Sequence, residues 1–357
     1  MSINCYVEKL RLHNFRNYSD FELYSGNSSI VIIGENGVGK TNLLEAISLL
    51  AKSNGMRKAK ASEMQNKFSS QDWTVHYNFF NGVDFNSIGI AKNSNKKIVQ
   101  IDNKIQSSYL FLYKISNVIW FIPQMDHILV HSQSDRLKFL DRIASMFEDT
   151  YADYYMKYRK AKYDRSKLLR SGILDENWLN SIETIMATSA INISRMRLSV
   201  LNILQSTIDN YSIGLFPKAN LKLNSQLDSD NGEEYYKRNL KENRQKDALT
   251  GKVKFGVHND NFQILCQKRN LPINLCSTGE QKLLLLSITL SSVKARCIYC
   301  NKAPILLLDE IMSHLDLQHR RLLIEEILSI NCQTWITELN RDNFSNYSSS
   351  FKIFDLL

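Results

Sequence analysis

Long uninterrupted apolar runs are missing from this 357-residue chain. The longest, residues 283–293, is broken by Ser287, Thr289, Ser291 and Ser292. It also falls short of the roughly 20 residues that a bilayer crossing needs. The opening Met1-Ser2-Ile3-Asn4-Cys5 shows no basic-then-apolar signal, so a cytoplasmic protein without a membrane span is expected. Cysteine is sparse: Cys5, Cys266, Cys276, Cys297, Cys300 and Cys332 are scattered along the chain, which fits a reducing compartment. Cys297 and Cys300 form a lone CxxC with no second pair and no nearby His, and read as two thiols on a helix face rather than a zinc or redox site. Proline is absent from 134–211, where Gly172 is the only glycine, so nothing there breaks a helix. Acidic residues are outnumbered, 36 against 45 Lys and Arg, for a net charge of +9. That balance favours a polyanionic partner, nucleic acid being the commonest, with a solvated basic surface as the alternative.

What is present is organised around Gly34-Glu35-Asn36-Gly37-Val38-Gly39-Lys40-Thr41. The apolar run Ile30-Val31-Ile32-Ile33 precedes it and the helical pattern Asn42-Leu43-Leu44-Glu45-Ala46-Ile47 follows. Strand, glycine loop and helix in this order make a P-loop. The glycines let successive N–H groups turn inward onto phosphate oxygens, and the helix start adds its positive dipole end. Lys40 then reaches the β- and γ-phosphates of ATP, and the Thr41 hydroxyl is placed for Mg²⁺.

The metal needs a carboxylate. Pro304-Ile305-Leu306-Leu307-Leu308-Asp309-Glu310 supplies a buried parallel-type strand ending in two acids, at the end where ligands of open α/β sheets bind. Asp309 would hold the metal and Glu310 would polarise the attacking water. Lys40 and Asp309 lie 269 positions apart, so a large insertion divides the two halves of one site.

Between them the pattern changes twice. Alternating strands are expected at 6–24, 75–79, 87–90, 97–101 and 117–122. From 134 to 211 the period is helical, and Ile182, Ile185, Ser189, Ile193, Met196, Val200 and Leu204 form a narrow coiled-coil-like seam. A turn near 171–175 makes this a helical hairpin arm. Residues 224–251 read as loop or exposed helix, and 253–257 and 262–265 as strands. The expected domains are 1–133, an ATPase head part with the P-loop and an antiparallel β subdomain; 134–211, the helical arm lobe; and 212–357, the remainder of an α/β head. Lys157, Arg159, Lys160, Lys162, Arg165, Lys167 and Arg170 crowd one helix with Tyr154, Tyr155, Tyr158 and Tyr163 interleaved. Such a stripe can neutralise several phosphates, although Asp164 sits among them and a solvated helix is the alternative. No base-readout motif is present, so any DNA binding would be weakly sequence-specific.

Ser277-Thr278-Gly279-Glu280-Gln281 opening an apolar helix resembles the signature motif of ABC-type ATPases, and Ser313-His314-Leu315-Asp316 their D-loop. The resemblance implies that Ser277, Gly279 and Gln281 face the P-loop of a second copy, so that ATP drives homodimerisation. Thr337 stands where such ATPases carry a switch residue, often His.

More specifically, Leu10-Arg11-Leu12-His13-Asn14-Phe15-Arg16-Asn17-Tyr18, Ile122-Pro123-Gln124-Met125-Asp126, Gly256-Val257-His258-Asn259-Asp260 and Ser277-Thr278-Gly279-Glu280-Gln281-Lys282 are similar to stretches of the RecF family, bacterial recombination mediators related to SMC-type ATPases. The likeness spans the chain. It departs at Val257 for Pro, Asn259 for Arg and Leu137 for one of two arginines. It implies an ABC-type P-loop ATPase head with slow, switch-like ATP hydrolysis using Lys40 and Glu310. It further implies Arg57 as an ATP contact, Gln124 as a Q-loop contact to the metal, and binding to single-stranded and duplex DNA at junctions. RecR, RecO and RecA are the implied partners. A transporter ATPase subunit and an SMC-like clamp are the alternatives. The first would need a membrane partner, and the second a longer coiled coil than 134–211 supplies.

Overall fold

The computed structural model describes residues 5–51, 55–94, 96–107, 110–125, 132–172, 175–211, 214, 216–227 and 232–356. The expected helix stop Lys52-Ser53-Asn54, the turn residues Ile173-Leu174, the polar run Asp228-Ser229-Asp230-Asn231 and Asp126 lie outside them. The chain forms two compact units. One gathers Met1–Asp126, Asn210–Pro217 and Thr278–Leu357, and the other His127–Asp209 and Lys218–Ser277. The helical lobe expected over 134–211 thus takes in a further segment that the sequence reading gave to the head.

The first unit holds a parallel five-stranded sheet in the order Phe351–Asp355, Ser29–Ile33, Thr334–Glu338, Ile305–Asp309, Val118–Phe121. Parallel strands covered on both faces read as unbroken apolar runs, and Ile305–Asp309 and Thr334–Glu338 are buried at every position. Leu43, Leu44, Ala46 and Ile47 of the helix Lys40–Ser48 are fully buried. A second, antiparallel sheet runs Tyr18–Tyr24, Tyr6–Phe15, Thr74–Phe80, Phe85–Asn93, Lys96–Ile101, Lys104–Ile105, as the alternating pattern requires. Buried Gln333 ties the sheets together: its side chain accepts from Val7 N at 2.9 Å and donates to Val7 O at 3.0 Å. The helix Thr278–Cys300 is long and apolar enough to cross a membrane, but 67% of its most apolar window is buried, as in the core helix of a globular unit. All six cysteines are free thiols.

The second unit contains the helices Gln133–Phe147, Tyr151–Arg170, Glu176–Asn210, Glu233–Glu242 and Arg244–Thr250, and a small antiparallel sheet of Leu271–Pro272, Asn261–Cys266 and Ala219–Asn224. The seam on Glu176–Asn210 is buried except at Ile185, 48% exposed, where Met186 turns inward instead. The strand expected at 253–257 does not form. Gly256 adopts φ 138° and passes so close to the Tyr236 and Tyr158 hydroxyls that a Cβ would come within 2.3 and 2.4 Å of them. Only glycine fits this left-handed, crowded position, and the backbone continues as a 3-10 turn, Val257–Asn259.

Two buried arginines hold this unit. Arg197 donates to Asp141 Oδ1 at 2.9 Å, to Asp260 Oδ2 at 2.8 Å and to the Val257 carbonyl at 2.7 Å. Arg165 donates to Glu183 at 2.8 Å, to Asp247 at 2.6 Å and to the Leu240 carbonyl at 2.7 Å. Burial pushes the Asp260 carboxyl up, against the pull of Arg197. Removing one partner of such a group strands the others without water. Arg197→Met is therefore expected to destabilise this unit by about 3–5 kcal/mol. Native-state hydrogen exchange across Glu176–Asn210 measures it, and a cost below roughly 1 kcal/mol would show that the network does not hold the unit.

Candidate nucleotide-binding site

The glycine loop joins the strand Ser29–Ile33 to the helix Lys40–Ser48 at the carboxyl end of the parallel sheet. Glu35 and Asn36 are exposed at its tip and Val38 is half-buried. Gly37 takes φ 86° and Gly39 φ 120°, and only at Gly39 is space also short: a Cβ would meet Asn17 Nδ2 at 2.4 Å and Tyr18 Oη at 2.7 Å. These two side chains brace the loop from the adjoining hairpin. Asn17 donates to the Val38 carbonyl at 2.8 Å and Tyr18 to the Gly39 carbonyl at 3.2 Å. Gly34 donates to the Glu338 carbonyl at 3.3 Å, which ties the loop to the neighbouring strand end.

Lys40 is 3% exposed. Its ammonium donates to the Gly34 and Glu35 carbonyls at 2.8 and 3.0 Å and stands 3.8 Å from Glu310 Oε1. Thr41 and Thr337 both donate to Asp309 Oδ1, at 3.0 and 2.8 Å. The Glu310 N–H in turn donates to Thr337 Oγ1 at 2.9 Å, and Glu310 itself adopts φ 47°, a left-handed turn off the strand end. The expected P-loop and acid pair therefore meet. Burial raises the Asp309 carboxyl above the usual carboxylate range, opposed by the Thr337 and Thr41 hydroxyls, with the charge of Glu310 raising it further. A hydroxyl and a carboxylate within 3.0 Å of one another are hard oxygen donors that fit Mg²⁺. Gln124 is exposed just beyond Val118–Phe121, the strand paired with Ile305–Asp309. Thr337 is fully buried and orients the acids, a role that its place in the switch strand did not reveal.

Arg57 rests on the P-loop helix, donating to Asn42 Oδ1 at 2.9 Å and reaching Glu45 at 3.3 Å. Glu45 is fully buried and takes a two-pronged contact from Arg16, at 2.8 and 2.6 Å. Arg16, Asn17, Tyr18 and Glu45 escaped the sequence reading as site residues. The signal was the block Phe15-Arg16-Asn17-Tyr18, visible as a resemblance but not as a brace. Gly279 sits exposed with open space around its Cα, and Gln281 lies in the same first turn of Thr278–Cys300, which Ser277, also exposed, directly precedes.

In the second unit the basic stripe divides. Arg165 and Tyr158 are buried, Arg165 in its carboxylate network and Tyr158 against Tyr236 and His258. Lys157, Arg159, Lys160, Lys167 and Arg170 remain exposed and Lys162 is half-buried.

The family model described as RecF/RecN/SMC N terminal domain matches residues 6–356. A protein of Rickettsia akari named DNA replication and repair protein RecF is 37% identical, over 99% of each chain. A like-named protein of Rickettsia felis is 35% identical over 99% of this chain and 98% of its own. A solved structure of the recombination mediator protein RecF with ATP aligns at a TM-score of 0.85 and 22% identity, covering 96% of this chain and 94% of that one. An Smc head domain from Pyrococcus furiosus aligns at a TM-score of 0.58 and 17% identity, covering 98% and 93%. The fold is that of an ABC-type ATPase head with an antiparallel β sheet and helical segments.

Because the Asp309 carboxyl is raised, folding loses stability as pH climbs from the ordinary carboxylate value through the raised one, and the cost is absent only below the ordinary value. Asp309→Asn should therefore raise the melting temperature of the metal-free protein by a few degrees at about pH 8 and hardly at all at about pH 4. The same change should remove most Mg²⁺ affinity in calorimetric titration. An unchanged Mg²⁺ affinity would take the metal away from Asp309.

Proposed function

The chain belongs to the RecF family of DNA replication and repair proteins, and from that premise we propose that it is an ATP-gated DNA-binding protein of recombinational gap repair, working in the cytoplasm. One observation carries the reading: Thr41 of the P-loop and Asp309, 268 positions later, share a hydrogen bond beside Lys40 and Glu310. ATP would lie along the N–H groups of loop 34–41, its β- and γ-phosphates drawing the Lys40 ammonium from the Gly34 and Glu35 carbonyls. Thr41 and Asp309, with Gln124 beyond the neighbouring strand, would hold Mg²⁺. When bound, the metal supplies charge neutralisation at the phosphates. Glu310, turned off the strand end by its left-handed backbone and held by Thr337, is the general base for water. Arg57, anchored on Glu45 and Asn42, would sit at the edge of the nucleotide.

The exposed Ser277 and Gly279, with half-buried Gln281 in the same first turn, suit a γ-phosphate presented by a second copy, so ATP would close a homodimer and slow hydrolysis would release it. DNA, single-stranded or duplex at junctions, would be held through phosphates by the exposed cations of Tyr151–Arg170. With RecO and RecR, the complex would help load RecA. The longest helix among the described residues has 35 residues, about 52 Å, too short for the arm of an SMC-like clamp.

Light scattering tests the dimer: ATP with Mg²⁺ should double the mass, and Lys40→Met should abolish this and weaken DNA binding together. Glu310→Gln should keep the dimer while slowing hydrolysis by about 100-fold or more. DNA affinity indifferent to nucleotide and to Lys40 alike would end the coupling.

A further inference from the structure

The helix Tyr151–Arg170 forms one wall of a cleft of about 570 Å³ within the second unit. Arg159, Lys162, Lys167 and Arg170 all line it, on the side of the helix that Tyr155, Tyr163 and Ser166 also turn to the cleft. Among the described residues none of the four has a carboxylate within ion-pairing distance, whereas Lys138 of the helix Gln133–Phe147, also in the lining, is matched by Asp135 at 2.9 Å. The one acid in the lining, Asp141, is already neutralised by Arg197 at 2.7 Å. The floor is polar but satisfied. His258 bonds to the Val253 carbonyl through Nε2 and to Tyr158 through Nδ1, and burial pushes it down to about 4, which leaves it uncharged at neutral pH.

Four convergent cations without a counter-charge call for an anion. The Lys162 ammonium already sits below its ordinary value, through burial first and then the neighbouring Arg159 charge, and a bound phosphate would relieve that repulsion. Two further features narrow the anion. Tyr163, 68% exposed, stands on the rim, and Tyr155 lines the wall, so flat aromatic faces lie beside the cations. The volume falls in the range that encloses one small ligand, roughly 300–1,000 Å³. A duplex keeps its bases stacked inside and can touch only the rim, but a single strand can send a nucleotide in.

We propose that this cleft seats single-stranded nucleic acid, with phosphates on Arg159, Lys162, Lys167 and Arg170 and a base laid against Tyr163. The proposal rests on the DNA-binding reading above and adds to it the cleft, the four phosphate contacts and the aromatic ring that tells a single strand from a duplex. Charge steers the strand and stacking discriminates it, with no base-specific contact needed. Buried Arg165 and Tyr158, on the same helix, hold the wall in place and take no part in binding.

Fluorescence anisotropy with the full chain tests this, using a labelled oligothymidylate of roughly ten nucleotides and a blunt duplex of equal length. Tyr163→Ala should weaken the single strand about tenfold, Tyr163→Phe should restore it, and neither should move the duplex. Arg159→Glu with Lys162→Glu should weaken the single strand further and flatten its salt dependence by roughly one unit of slope per lost phosphate contact. If Tyr163→Ala shifts both DNAs equally, or neither, the cleft is not the seat. Lys40→Met and ATP separate this from the gating reading. Cleft variants without effect beside a strong ATP effect would overturn the cleft alone. Single-strand loss in the cleft variants beside indifference to ATP would sustain the cleft and overturn the gating.

Discussion

One carboxylate oxygen, Asp309 Oδ1, receives the hydroxyls of Thr41 and Thr337, and the nucleotide half-sites meet on it. Everything else in the first unit serves to bring those three residues to one point. Parallel pairing aligns Leu308 with Ile336 and Ile336 with Val31, so the strands bearing Asp309, Thr337 and the P-loop end together. A slip of one residue would turn each of these side chains to the opposite face of the sheet. Register is therefore a functional constraint here, and the unbroken burial of the two inner strands enforces it. The long insertion between the halves is tolerable because the entropy of loop closure rises only slowly with length, while the paired strands supply the contact energy.

Polar groups in this core are kept by being fully occupied. Gln333 bonds Val7 on both backbone atoms and also reaches the Gly26 and Ser28 carbonyls, and Glu45 is shared by Arg16 and Arg57. A buried carboxylate without such partners would neutralise or destabilise the fold. Glu45 lies on the P-loop helix, so its clamp also fixes the angle at which that helix leaves the loop. The brace from Asn17 and Tyr18 acts one turn earlier, on the carbonyls of Val38 and Gly39. The loop is thus held from outside at the Val38 and Gly39 carbonyls and at the Gly34 N–H, which bonds the Glu338 carbonyl.

Most of the head was legible in the sequence, because its signals are local. A glycine loop with Lys40 and Thr41, an apolar strand ending in Asp309-Glu310, and alternating strands each announce themselves within ten residues. Non-local chemistry was not. The stretch 253–257 has strand-like composition, but the hydroxyls of Tyr158 and Tyr236, distant in sequence, crowd Gly256 into a conformation that no strand uses. Thr337 was legible as a position and illegible as a role, since its two partners come from Asp309 and Glu310. The segment Lys218–Ser277 was grouped with the head because its helices and strands carry no mark of the unit they pack with.

The helix Tyr151–Arg170 shows why charge counting reaches its limit. Arg159 and Arg165 are the same residue type six positions apart, and a pattern count weighs them alike. Arg165 is fully buried because Glu183, Asp247 and the Leu240 carbonyl take its donors, and moving that guanidinium to water would strand the buried Asp247 carboxylate. Arg159 has no such partner and stays at the cleft, where its field is felt by Lys162. The two arginines therefore act in opposite directions. One gives up hydration to hold the unit together, and the other leaves electrostatic repulsion in place that only a ligand can remove. A sequence reveals how many charges a helix carries, and folding decides which of them are already spoken for.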